Sequence, residues 1–82
     1  MKYGEIVKSV SGHDEGCFYI AVGEKDGFAL LCDGKNKLLS YPKKKNRKHL
    51  EKTGIVVNLG VYNPLYDAHI RKELKSFSKR GG

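Results

Sequence analysis

Cys17-Phe18-Tyr19-Ile20-Ala21-Val22-Gly23-Glu24-Lys25-Asp26-Gly27-Phe28-Ala29-Leu30-Leu31-Cys32 reads as two β-forming runs hinged at Asp26-Gly27. Phe18, Ile20 and Val22 share one face at the two-residue period of a strand. Asp-Gly is a hairpin signal, because a tight turn between twisted strands needs positive φ, which glycine adopts without a Cβ clash. The segment therefore predicts strands over 17–22 and 28–32. A two-residue turn sets Cys32 opposite Ala21, so Cys17 lies about 13 Å further along the ladder. A disulfide tolerates about 7 Å between Cα atoms. Both thiols are expected to be free, as in a reducing, cytoplasmic setting.

Outward from this hairpin the same grammar continues. Ile6 to Val10 predicts a preceding strand, and Lys37 to Tyr41 a following one after the turn at Asp33-Gly34. Pro42 ends that strand by removing a ladder donor, and like-charge repulsion is expected to hold 42–48 open as a loop. His49 to Lys52 reads as a single turn anchored by Leu50. Ile55 to Leu59 alternates, with Ile55, Val57 and Leu59 inward and Val56 and Asn58 outward. About five short strands with tight turns predict a mostly β fold, a small barrel that hides its edges. The last third changes period. Asn63-Pro64 predicts a helix start, with Tyr66, Ile70, Leu74 and Phe77 on one face and Asp67 paired to Arg71 one turn on. The expected organisation is one domain: a barrel over 1–62, an amphipathic helix over 63–78 packed on it, and a frayed tail over 79–82.

Composition narrows the function. The 82 residues hold 16 Lys and Arg against 9 Asp and Glu, a net charge of +7. Mean hydropathy is −0.53, and no apolar run approaches the roughly 18 residues that cross a bilayer. Met1 to Glu5 has no apolar core of a secretion signal. The charge is segregated: the acidic residues gather before Gly34, and the basic ones gather over 35–52 and again over 71–82. Such a pattern suits a polyanion partner. Lys43, Lys44, Lys45, Arg47 and Lys48 form its densest part, flanked by Lys35 and Lys37. Self-repulsion there is costly and useful mainly against an anion. Tyr41 is the candidate for stacking on an unpaired base, and His49 for donating to phosphate. Tyr3, Tyr19, Tyr62 and Tyr66 are assigned to packing. Arg71, Lys72, Lys75 and Lys79 form a secondary basic face on the helix. No nucleophile, paired carboxylate or phosphate loop supports catalysis, and His13, His49 and His69 lack metal-ligand spacing with either cysteine. No enzyme activity, metal or cofactor is expected, and no membrane attachment.

Gly4 to Val22, with Gly12-His13-Asp14-Glu15-Gly16 at its centre, resembles the KOW motif, a strand–loop–strand element around a G-x-x-x-G loop. The later run Pro42-Lys43-Lys44-Lys45-Asn46-Arg47-Lys48-His49-Leu50 is similar to the basic stretch of small KOW-type large-subunit ribosomal proteins. The resemblance spans residues 4–52. It implies an SH3-like barrel that binds RNA, ribosomal RNA first, with Gly12, His13 and Gly16 as the KOW loop. The chain is expected to be a monomer when free. One departure stands out: Asp14 and Glu15 put acid where many family members carry bases, which moves the expected affinity to residues 35–52. The acidic loop also suits a second expectation, a protein-interaction module of the translation or transcription machinery.

Overall fold

The computed structural model describes residues 1–80. Five strands, β1 (Glu5–Ser9), β2 (Phe18–Lys25), β3 (Phe28–Cys32), β4 (Lys43–Asn46) and β5 (Leu50–Val56), precede one helix, α1 (Asp67–Lys79). They form a single antiparallel sheet in the order β4-β3-β2-β1-β5. The sheet is open, yet its two outer strands are joined only by the 3-10 turn Arg47–His49. In a flat sheet the outer strands would lie about 19 Å apart, and four Cα steps reach about 14 Å. The sheet must therefore curl, and the fold is barrel-like in its strand order and curvature.

Curling gives β1, β2 and β3 two buried faces. On one, Ile6, Ile20 and Cys32 pack with Leu59 and with Ile70 and Phe77 of α1, and Phe18, Val22 and Leu74 close the margin. On the other, inside the curl, Val7, Tyr19, Ala21, Ala29 and Leu31 form a second cluster. The expected helix-on-barrel packing is present, with Ile70 fully buried and Phe77 nearly so. Each such side chain contributes roughly 1.5–3 kcal/mol. Tyr66 and Ile55, expected inside, are exposed, as is Tyr3. Among the described residues no helix is long and apolar enough to cross a membrane.

The hairpin turns at Asp26-Gly27 with positive φ at both residues, 54° and 82°. A bulge between Ala21 and Gly23 then slips the register by one, so Cys32 faces Ile20 rather than Ala21. The thiols are free, Cys17 exposed and Cys32 buried. Burial, with the charges of Asp67 and Asp33, pushes the Cys32 thiol up to about 11.

The fourth strand is the main correction. Lys37 to Tyr41 contributes one isolated bridge, Leu38 to Tyr41, while the expected loop over 42–48 holds β4. Alternation explains why: β4 is an edge strand whose Lys43 and Lys45 point the same way as their partners Leu31 and Ala29, while Lys44 and Asn46 point the other. Lysine on an edge strand discourages further pairing. The fifth strand likewise begins at Leu50, earlier than Ile55, so the expected turn over 49–52 is mostly strand. Asn63-Pro64 is a cis peptide in the bend before α1, which starts at Asp67. The helix cap is Tyr66, whose amide donates to His69 Nδ1 at 2.9 Å. Of the expected frayed tail, Lys79 closes α1 and Arg80 caps it; residues 81–82 lie outside the described residues.

Candidate nucleic-acid interface

The lysine run divides by strand parity. Lys45 Nζ donates to Asp14 Oδ1 at 2.9 Å and to the Ser11 carbonyl at 3.0 Å. Ser9 Oγ donates to the same carboxylate oxygen and Tyr19 Oη to the other, both at 2.9 Å. Lys43 Nζ lies 3.6 Å from Asp14 Oδ2. The Lys45 and Asp14 side chains are only 12% and 15% exposed, so the pair lies within the fold. Burial alone would raise the Asp14 carboxyl, but the donors Lys45, Ser9 and Tyr19 and the charge of Lys43 hold it well below the usual carboxylate range. Burial and the bond to Asp14 raise the Tyr19 hydroxyl. Asp14 is thus the anchor of two lysines, and Lys43 and Lys45 are not presented to a partner.

The other members of the run are more open. Lys44 reaches Asp26 at 3.8 Å and sits 5.3 Å from the centre of the Phe28 ring. Arg47 reaches Glu24 at 3.4 Å. Both pairs are exposed, so each is worth at most about 1 kcal/mol. Lys48 is exposed without an acidic partner among the described residues. Tyr41 is 83% exposed. His49 is half-buried, and its carbonyl accepts from the Val10 amide at 2.9 Å. His13 is exposed at the loop tip, and Gly12 and Gly16 take φ of 88° and 92°. The loop conformation by itself requires both glycines.

A second assembly is better placed. Lys35, Arg71, Lys72, Lys75 and Lys79 line an open groove of about 1070 Å³, with Gly16, Cys17 and Phe18 across from the helix and Asp33 as its one acidic lining residue among the described residues. Among the described residues none of these five cations makes an ion pair. The loop holding Lys35 is built around Asp33, whose Oδ1 accepts from the amides of Lys35, Asn36 and Lys37 at 2.9, 3.0 and 2.8 Å. That loop is pinned to α1 at two points. Asp67 Oδ1 accepts from the Leu39 amide at 2.8 Å, and Arg71 Nη1 donates to the Gly34 carbonyl at 2.6 Å. The expected Asp67–Arg71 pair is replaced by these two contacts. Gly34 has φ of 78°, and a Cβ there would fall 2.5 Å from the Asp67 carbonyl oxygen. Only glycine lets the loop meet the helix so closely.

No protein-family model matches this chain, and no curated protein matches it in sequence. Five cations around an open trough, with Gly16, the last residue of the glycine loop, on the far wall, form a surface for spaced negative charges. The structure joins Lys35 and Gly16 to the helix residues, and leaves Lys37, Tyr41 and Lys48 outside this groove. The basic stripe of the helix was readable from its spacing. Its union with Lys35 was not, because it depends on the long-range contacts of Gly34. Cys17 and Phe18, which sequence reasoning assigned to a strand alone, line the groove as well.

Proposed function

We propose that this chain is a non-enzymatic RNA-binding protein of the KOW type, an SH3-like barrel that holds the phosphate backbone in the groove between α1 and the segment Gly16-Cys17-Phe18. Ribosomal RNA is its expected target. The observation that carries the proposal is the groove of five cations without acidic partners among the described residues. The five-stranded curled sheet and the positive φ of Gly12 and Gly16 are compatible with the KOW reading. Lys48 and Tyr41 are exposed, lie outside the groove, and are not needed for this reading. Of the two loop acids that would suit a basic protein partner, Asp14 is turned inward to Lys45 and Lys43, and Glu15 alone is exposed.

Binding in such a groove is driven by release of counterions. Four or five phosphates neutralised would give a log–log salt slope of about −3 to −3.5 on single strands. The test is a titration with labelled ribosomal RNA fragments at several salt concentrations, beside the variant Lys72→Gln, Lys75→Gln, Lys79→Gln. The variant is expected to lose at least about tenfold in affinity and to flatten the salt slope, since each phosphate contact removed lowers it by about 0.7. Unchanged affinity and slope would overturn the assignment.

A further inference from the structure

A smaller pocket of about 410 Å³ adjoins the groove and shares Phe18 with it. Its apolar lining is Phe18, Phe77 and Ile55, and its polar groups include Lys8, Arg80 and Glu51. Phe18 and Phe77 lie 5.1 Å apart, ring centre to ring centre. Phe18, Lys8 and Glu51 form a row across β2, β1 and β5, because Lys8 is the cross-strand partner of both. Despite that position, neither Lys8 nor Arg80 makes an ion pair with Glu51 among the described residues. The neighbouring hydroxyl is committed: Thr53 Oγ1 donates to the Ile6 carbonyl at 2.7 Å and accepts from the Ile55 amide at 3.1 Å. Glu51 is thus the exposed acceptor in the lining of this pocket, in a stretch of chain otherwise rich in bases.

The geometry points to a pocket for an unpaired guanine, which deepens the RNA reading and rests on it. Phe18 and the exposed Ile55 offer the apolar wall for a flat ring, with the buried Phe77 packed behind Phe18. The cations, Lys8 among them with its ammonium 5.9 Å from the centre of the Phe18 ring, suit the phosphate attached to that ring. A carboxylate accepts from two adjacent donors, and guanine alone among the four bases presents two on its pairing edge, N1–H and N2–H. Adenine and cytosine offer one amino group there, and uracil one ring N–H. An arginine side chain also offers paired donors, but Lys8 and Arg80 repel a cation. The pocket therefore selects a neutral ring with paired donors.

The experiment uses a uridine-rich single-stranded 12-mer carrying one central guanine, adenine, cytosine, uracil or inosine. Each is titrated at one fixed salt concentration against the full chain and its Glu51→Gln variant, with circular dichroism confirming that the variant is folded. Guanine is expected to bind about five- to tenfold more tightly than the other three standard bases. Inosine, which lacks the N2 amino group, should fall between, and E51Q should remove the preference while keeping its affinity for the uridine-only strand. Equal affinity for all bases, full rescue by inosine, or a preference that survives in E51Q would overturn the pocket assignment and leave the groove reading intact. Failure of every strand to bind would overturn both.

Discussion

Asp14 shows how far one side chain's role depends on its surroundings. In the sequence it is an acid in a loop that should meet phosphate; in the fold its carboxylate accepts hydrogen bonds from Lys45, Ser9 and Tyr19 and faces Lys43. Its folded-state pKa lies below the unfolded one, so the unfolded chain binds more protons and stability rises with pH through this group. That contribution is full above about pH 4, near the unfolded carboxyl value, and drains away as the pH falls further. Tyr19 works in the opposite sense: its raised hydroxyl contributes below about pH 10 and loses its contribution above. Replacing Asp14 by Asn should destabilise the protein by about 2–4 kcal/mol at pH 7, since two lysines lose their partner inside the fold. Urea melts between pH 2.5 and 7 should show the gap between wild type and variant closing below about pH 4. A gap that stays constant across that range would exclude the carboxylate as its source.

Among the elements, the junction of α1 with the Asp33–Leu39 segment sets the geometry of the groove. Arg71 and Asp67 each hold that loop by one hydrogen bond, and Gly34 lets the backbones touch. Adding a methyl group as Gly34→Ala combines positive φ with a Cβ contact on main-chain atoms, which has no cheap relief. The expected cost is about 2 kcal/mol or more, read as a lower urea midpoint, together with weaker RNA binding as Lys35 moves from the helix. An unchanged midpoint would mean that the loop is not docked as described. This junction also marks where sequence reading stops. β2, β3 and the turn between them follow from alternation and Asp26-Gly27, both local signals. The apolar face of α1 follows from helical spacing. β4 was hidden because a run of lysines is repelled in isolation and becomes a strand only when Leu30 and Leu31 supply a ladder and Asp14 supplies a counter-charge. The bulge after Ala21 was hidden for a related reason: register is decided by both strands and their packing together.

Across the whole molecule, the basic residues serve two separate purposes that a count of charges merges. Lys43 and Lys45 fasten the β4 edge to the loop between β1 and β2, and so hold the curl of the sheet. The helix lysines and Lys35 hold no acid among the described residues and face the groove. Neutralising each set should therefore separate stability from binding. Lys43→Gln with Lys45→Gln should lower stability by about 2–3 kcal/mol, while the fraction that remains folded keeps its RNA affinity within about threefold. Lys72→Gln, Lys75→Gln and Lys79→Gln should change stability by less than about 1 kcal/mol, as exposed charges do, and should carry the binding loss. Paired urea melts and RNA titrations at one salt concentration measure both quantities on the same samples. If the β4 pair proved stable but unable to bind, the lysines would have to swing away from Asp14 to meet RNA, and the division of labour argued from the folded geometry would be wrong.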